Sequence, residues 1–111
     1  MQLLVLILNR VELLEDLLSS LADYGLKGAT VIDSTGMARL LSGSKNQRFL
    51  NTLKMLLDPD LEENKTVLMA VKDEQVEDVK QIVHTVTGGL HKPDTGILFG
   101  LPITFIEGLG E

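Results

Sequence analysis

The amino-acid sequence predicts a small α+β domain in which strands and helices alternate along the chain. Aliphatic runs of strand length occupy the start of the chain and positions 65–72. Each run is followed by a segment whose apolar residues recur at helical spacing, and glycine ends both segments. With 44% hydrophobic residues among 111, the chain can bury one core, so we expect a single domain over 1–111.

The first half predicts a strand, a helix and a second strand. Gln2–Leu8 is almost entirely aliphatic, which is typical of a strand that is buried on both faces. Asn9 is suited to cap a helix over 10–24, and Gly25 is placed to end it. We expect the second strand over 27–34.

The middle of the chain, 35–64, predicts a variable loop that contains an extra helix. Residues 35–44 are polar and include glycine, which favours a loop. The apolar residues of 45–57 form one helical stripe, and Pro59 disfavours helix at the residue before it. We therefore expect a helix over 45–57.

The second half repeats the pattern of strand, helix and strand. An aliphatic run lies within 65–72, Asp73 is suited to cap the following helix, and Gly88 is placed to end it. The last segment, 96–109, predicts a strand that a proline interrupts and glycines close. Because Pro102 cannot donate a ladder hydrogen bond, it belongs on an edge strand or at a bulge.

This order of elements predicts a ferredoxin-like βαββαβ sandwich with an extra helix in the loop between strands 2 and 3. Two helices would cover one face of a four-stranded sheet and leave the other face apolar. Such a face favours association between copies. Only 4% of the residues are aromatic and none is tryptophan, and a small domain without large anchors often gains stability by oligomerising.

Composition argues against several classes of function. A net charge of -6 and a pI near 4.8 disfavour non-specific binding to nucleic acid or to anionic membranes. The absence of cysteine excludes disulfides and thiolate metal sites. The aliphatic start is too short to span a bilayer and lacks the flanks of a signal peptide. We expect a soluble cytoplasmic protein that does not insert into membranes.

No constellation of residues predicts catalysis or metal binding. His84 and His91 do not have the spacing of metal ligands. The serines have no base nearby in sequence, and no G-x-S-x-G elbow is present. We therefore expect no enzymatic activity and no bound metal.

Three segments follow sequence patterns that occur together in one family. Residues 22–31 match A-x-x-G-x-x-G-x-T-V, residues 73–79 match D-[DE]-Q-V-[DE]-x-V, and residues 96–109 match G-x-x-F-x-L-P-x-x-x-x-x-G-L. Each motif alone consists mostly of strand and cap signals, but their order and spacing are fairly specific. In these segments the chain resembles the nitrogen regulatory PII proteins.

The resemblance implies a regulatory protein that forms a homotrimer of ferredoxin-like subunits. It implies that a small effector, usually an adenine nucleotide, binds in the clefts between subunits. It also implies that the loop after the second strand touches a target, here a transporter or an enzyme. Effector binding would then shift the population of loop conformations and change the surface shown to the target.

The resemblance also indicates which residues would bind the effector. The family's G-x-G-R-Q and T-G-x-x-G-D-G-K-I-F loops are matched in part here. With the basic residues of the second loop, the implied ligand-binding residues are Gly36, Arg39, Thr87, Gly88, Gly89, His91, Lys92 and Gly96. Glycines let backbone amides approach a phosphate, but they also serve as turn and cap residues. The two basic side chains are either ligands or solvated loop charges.

Residues that depart from the family's motifs reduce the range of effectors that this chain is expected to bind. Leu40 stands where the family has a glutamine, and a side chain without donor or acceptor argues against 2-oxoglutarate held with Mg2+ in the family's way. Ile97 replaces a lysine, and Glu107 and Glu111 lie where the family often has arginines. Carboxylates repel a triphosphate. A mononucleotide or a less charged ligand remains open.

The 45–57 helix has two interpretations. It could bind the partner protein through Arg48, Phe49 and Leu53, or it could pack its apolar stripe on its own trimer. A rival to effector sensing follows from the first interpretation. The chain would then be a ligand-independent interaction module that docks on an enzyme or a transporter through this helix.

Overall fold

The computed structural model describes residues 1–37 and 64–109. In chain order the elements are β1 (Gln2–Leu8), a 3-10 turn (Val11–Leu13), α1 (Leu14–Tyr24), β2 (Thr30–Ser34), β3 (Asn64–Val71), a second 3-10 turn (Asp73–Gln75), α2 (Val76–Thr87) and β4 (Gly96–Pro102). The helix expected over 45–57 lies outside the described residues.

The four strands form one antiparallel sheet in the order β2-β3-β1-β4, and with the two helices they make an α+β structure. This arrangement is consistent with the ferredoxin-like class expected from the sequence. The two most aliphatic strands, β1 and β3, are central, and β2 and β4 are the edges. Pro102 ends β4, which confirms that this proline belongs to an edge strand.

One face of the sheet packs against both helices. Leu6 of β1 is paired with Val67 of β3 and Leu98 of β4, so these side chains point to the same face. The buried core on this face draws on β1, β3 and the two helices: Leu4, Leu6, Leu8, Leu17, Leu21, Val67, Met69, Val71, Val79 and Val83. The helical spacing seen in the sequence therefore marks the sides of α1 and α2 that meet the sheet.

The opposite face of the sheet is also apolar, but neither helix covers it. Val5 is paired with Leu68 and Phe99 on this face. Several of its apolar side chains are exposed: Ile32 at 45%, Ile97 at 61%, Phe99 at 43% and Leu101 at 47%. The exposed side chains belong to the edge strands. On β1, Val5 is 9% exposed and Leu3 and Ile7 are partly buried, so the prediction that β1 is buried on both faces is correct at the centre of the strand, although both helices lie on one side of the sheet.

Two predicted helix caps are wrong in detail. No side chain caps the turn after Asn9, and the amide of Val11 donates to the Asn9 backbone oxygen at 3.0 Å instead. The carboxylate of Asp73 pairs with the N-terminal ammonium at 3.2 Å. The side chain of Gln75 accepts from the Lys72 amide at 3.0 Å in its place. Both helices begin with a 3-10 turn, which moves their first orphan amides away from the expected caps.

The helix ends and the contact between helices follow local chemistry more closely. Gly25 and Gly88 adopt left-handed backbone angles, with φ of 109° and 79°, which confirms them as the residues that end α1 and α2. The hydroxyl of Tyr24 donates to the Asp78 carboxylate at 2.8 Å and ties the two helices together. Strand β2 begins at Thr30, later than expected, since the preceding stretch contains Gly28 and extends no ladder.

Candidate functional site

The loop between α2 and β4 contains most of the implied ligand-binding residues that the structure describes. At its start, the buried hydroxyl of Thr87 donates to the Val83 backbone oxygen at 2.7 Å and accepts from the Gly89 amide at 3.2 Å. Both hydrogen-bonding roles of this hydroxyl are therefore filled within the chain. In this conformation Thr87 shapes the loop and does not face a ligand.

The side chains of Lys92 and His91 lie against the backbone of the next two glycines, Gly88 and Gly89. Gly88 and Gly89 have φ of 79° and 119°, which disfavours any residue with a Cβ. A Cβ on Gly88 would stand 2.8 Å from Nζ of Lys92, and one on Gly89 would stand 2.5 Å from Cε1 of His91. The structure thus brings Gly88, Gly89, His91 and Lys92 together, and glycine is required at both positions.

The far end of the loop is fixed to the end of β1. The amide of Asn9 donates to the backbone oxygen of Thr95 at 3.0 Å, and Thr95 is almost fully buried. A Cβ on Gly96 would stand 2.6 Å from the backbone oxygen of Ile7. Gly96 is therefore needed for the close approach of β4 to β1, whatever else it does.

This loop lies at the C-terminal end of α2, where positively charged side chains are favoured. The loop follows the C-terminal end of α2, where unpaired carbonyl groups carry partial negative charge. His84 in the last turn, His91 and Lys92 place basic side chains at this end. The partial negative charge of the helix end is enough to explain why basic residues lie here. An anion that binds Lys92 must therefore compete with the helix end for its ammonium group.

Gly36 lies at the other edge of the sheet. It follows β2, and a Cβ on it would stand 3.7 Å from Nδ2 of Asn64, which is an ordinary contact. Because β3 and β1 separate β2 from β4, Gly36 and the second loop lie on the order of 14 Å apart within one protomer, at about 4.8 Å per strand. Both are at the end of the sheet where β3 and β4 begin. Arg39, Arg48, Phe49 and Leu53 lie outside the described residues.

Sequence reasoning missed a polar cluster beside Gly36. The hydroxyl of Ser34 donates to the side-chain oxygen of Asn64, and its oxygen lies 2.8 Å from the hydroxyl of Thr66. Asn64 is only 5% exposed. The cluster joins the two chain ends between which residues 38–63 run. Ser34 and Asn64 are far apart in sequence, and only the register that pairs them reveals the cluster.

The described residues contain neither a cluster of metal ligands nor a membrane-spanning helix. Among residues 1–37 and 64–109, no group of three or more His, Cys, Asp or Glu side chains is arranged to hold a metal ion. Over the same residues, no helix is both long enough and apolar enough to cross a bilayer.

No protein-family model matches this chain, and no curated protein matches it. Its function must therefore be inferred from the loop, the sheet faces and the sequence motifs. The loop carries the chemistry that is easiest to test, because its basic side chains and glycines lie in contact.

Proposed function

We propose that this chain is a non-catalytic, PII-like signalling protein: a ferredoxin-like, cytoplasmic homotrimer whose intersubunit clefts bind a small anionic effector and which regulates a transporter or an enzyme. One observation supports this above the others. Two left-handed glycines, Gly88 and Gly89, lie under the side chains of Lys92 and His91 at the end of the sheet from which residues 38–63 leave.

The proposed effector carries one or two negative charges. The amides of Gly88 and Gly89 already donate to the His84 oxygen at 2.9 Å and to the Thr87 hydroxyl at 3.2 Å, so the lysine ammonium is the group of this loop that would bind an anion. The loop offers one lysine, and the chain as a whole has a charge of -6, which favours a mononucleotide over a triphosphate. Glu107, in the C-terminal segment, adds to this preference.

The open face of the sheet supports the proposed homotrimer. Ile32, Ile97, Phe99 and Leu101 are all more than a third exposed on one face. Burial of apolar surface is worth about 25 cal/mol per Å², so contact between such faces favours association. Association would also bring the β2 edge of one copy towards elements of another and so form clefts that a single copy lacks.

The proposed mechanism is a shift between two arrangements of the sheet end. In the structure, Lys92 lies against Gly88 at the end of α2. An effector that draws Lys92 away from the helix end must favour one arrangement of the loop over the other, and only that difference in affinity can transmit a signal. The Ser34–Asn64 hydrogen bond joins the end of β2 to the start of β3 at the same end of the sheet.

A ligand-independent docking module is the second candidate. The observation in its favour is that the hydroxyl of Thr87 is already satisfied by the chain, and that Gly96 is explained by its contact with Ile7. In that case Arg48, Phe49 and Leu53 of the 45–57 segment would bind the partner, and no effector would be needed.

A thermal-shift screen tests the proposal. Purified protein is heated with ATP, ADP, AMP, cyclic nucleotides, 2-oxoglutarate or bicarbonate, with and without Mg2+. A ligand that binds only the native state stabilises it by about 2.7 kcal/mol at a hundredfold excess over its dissociation constant, so the effector should raise the melting temperature clearly. Lys92→Ala and Arg39→Ala should each remove most of that rise.

Lys27→Ala is the matched control, because Lys27 is exposed and precedes β2 at the opposite end of the sheet. It should leave the ligand-induced rise unchanged. If no compound shifts the melting temperature of the unmodified protein, effector sensing is rejected for this set and the docking module is favoured. If Lys27→Ala removes the rise as fully as Lys92→Ala does, the ligand does not bind at the α2–β4 loop.

A further inference from the structure

A groove runs between α2 and the outer edge of β4, on the side of the sheet that faces the helices. It has a volume of about 270 Å³, and its lining includes Gln2, Leu4, Val76, Lys80, Leu98 and Gly100. A Cβ on Gly100 would stand 2.8 Å from Oε1 of Gln2 and 3.1 Å from Cδ2 of Leu4, so these two side chains already occupy the space over Gly100. The lining is mixed: Leu4, Val76 and Leu98 are apolar, Gln2 is polar, and Lys80 is a cation.

Strand β4 presents a free edge along this groove. Its only neighbour in the described sheet is β1, so one side of its backbone has no ladder partner there. Such an edge binds an extended segment by main-chain hydrogen bonds, and alternate side chains of that segment enter the adjacent groove. The groove therefore suits an extended peptide with apolar residues at every second position and one acidic residue.

The C-terminal segment of this chain has these properties. Beyond β4, residues 104–109 form no helix or strand, and Phe105, Ile106 and Leu109 are exposed by 79%, 38% and 55%. In the described part of the chain, the last backbone hydrogen bond runs from the Ile103 amide to the Met1 oxygen at 3.1 Å. Among the described residues, no backbone–backbone hydrogen bond involves residues 104–109, and the three apolar side chains are exposed.

One antiparallel register matches the segment to the groove. If Glu107 lies opposite Gly100, then Leu109 lies opposite Leu98, and all four positions are on the face towards α2. The Glu107 carboxylate then lies along the groove on the side of Lys80, next to the Gln2 side chain that covers Gly100. A slip by one residue would turn Glu107 to the apolar open face, which is unfavourable.

The neighbours on the other face fit the same register. Gly108 lies opposite Phe99, so the large ring meets no side chain, and Ile106 lies opposite Leu101. Lys80 is free to take part, because its present bond to Glu77, at 3.3 Å, joins two well-exposed side chains. Exposed pairs of this kind contribute little stability and exchange readily.

The same molecule cannot supply this strand. A hairpin in this register would need a two-residue turn at Ile103 and Thr104, and the favoured turns require positive φ. Both residues are β-branched and avoid positive φ, and among the described residues positive φ occurs elsewhere. The Ile103 amide is also held by Met1. The strand must therefore come from another copy.

We propose that residues 104–109 of one copy bind as an added strand along the β4 edge of a second copy, with Glu107 at Lys80. The chain bends at Thr104, which takes the segment out of the line of its own β4. This bend suits a ring in which each copy gives its segment to one neighbour and receives a segment from the other. The inference rests on the proposed function only in requiring that copies associate.

A cross-linking experiment tests the register. The chain contains no cysteine, so Leu101→Cys and Ile106→Cys can be made in separate proteins, mixed and oxidised. Directly opposed residues on antiparallel strands are about 4.5–5.5 Å apart at Cα, within the range for a disulfide. We expect a disulfide between the two different chains. Leu101→Cys mixed with Phe105→Cys is the control and should not cross-link, because residue 105 faces the other side.

Sedimentation of the same samples separates this inference from the proposed homotrimer. If the protein is oligomeric and the 101–106 pair does not cross-link, or cross-links no better than the control pair, the inserted strand is wrong and the homotrimer stands. If the protein is monomeric at all concentrations, both fail.

Reversing the charges of Lys80 and Glu107 gives a second test of their contact, one that needs no cross-link. Lys80→Glu and Glu107→Lys should each weaken association about threefold to tenfold, as expected for one exposed pair turned to repulsion, and the double variant should restore it. Asp23→Lys, on the exposed end of α1, should leave association unchanged. Failure of the double variant to recover association would overturn the Glu107–Lys80 contact.

Discussion

The two faces of the sheet both carry large apolar side chains but differ in how far these are covered. On the face that meets the helices, Leu4, Leu6 and Leu8 are at most 2% exposed. On the other face, Ile97 and Phe99 of the edge strand β4 are 61% and 43% exposed, whereas Val5 of the central strand is 9% exposed. Both helices lie on the first side, and the second side also carries the polar cluster of Ser34, Asn64 and Thr66 at one end.

Within residues 1–37 and 64–109, the two helices enclose only one face of the sheet. Exposed apolar side chains such as those of the other face favour burial against a further surface. One face should therefore set the stability of the single protomer, and the other should set its association. Substitutions on each face should therefore affect these two properties differently.

Leu6→Ala should cost about 2–5 kcal/mol of unfolding free energy, because it removes a fully buried side chain and leaves a cavity under the helices. The loss should not depend on protein concentration, and chemical denaturation at several concentrations measures it. Ile7→Ala, one residue along on the open face, is the control. Its cost should be smaller and should grow with concentration. If both substitutions lower the unfolding free energy equally and independently of concentration, the two faces do not have different roles.

If copies associate through the open face as proposed, Ile32→Asp should prevent that association and leave the protomer folded. Ile32 is 45% exposed on the open face and lies on β2, far from the β4 groove. A carboxylate buried between copies loses hydration without a partner. Analytical ultracentrifugation and circular dichroism measure the two properties. Ile32→Thr keeps the β-branched shape and should associate more strongly than Ile32→Asp. A fully associated Ile32→Asp protein would show that the open face is not the interface.

Tyr24→Phe should lower the unfolding free energy least, because it removes a single exposed hydrogen bond between α1 and α2. The hydrogen bond that Tyr24 donates to the Asp78 carboxylate raises the pKa of the phenol above its usual 10.0. Because the pKa is raised in the folded state, this bond stabilises the fold fully below pH 10.0. The stabilisation is lost as pH rises through the higher folded value.

The difference in melting temperature between the unmodified protein and Tyr24→Phe should therefore be constant around neutral pH and shrink above pH 10.0. The chain has one tyrosine and no tryptophan, so phenolate absorbance reports the pKa of Tyr24 directly. A phenol that titrates at or below its usual value would show that the bond to Asp78 does not form in solution.

The candidate site was predictable only in part. The sequence indicated that Gly88 and Gly89 would interrupt the chain after α2, because glycine tolerates the left-handed backbone that ends helices. It did not indicate that Lys92 and His91 fold back over them, since that depends on the path of the loop. It also did not separate a ligand role for Thr87 or Gly96 from the structural contacts that each makes.

Among the described residues, the order of strands and helices and the glycines that end both helices were predictable from the sequence, which also limited Pro102 to an edge strand or a bulge. These depend on hydrophobic periodicity and on backbone preferences of single residues, which act locally. The tertiary structure alone decided which face of β1 is covered, that Asp73 pairs with the chain terminus and that Ser34 meets Asn64. Those outcomes depend on contacts between residues far apart in the chain, and an aliphatic strand is equally suited to burial on either face.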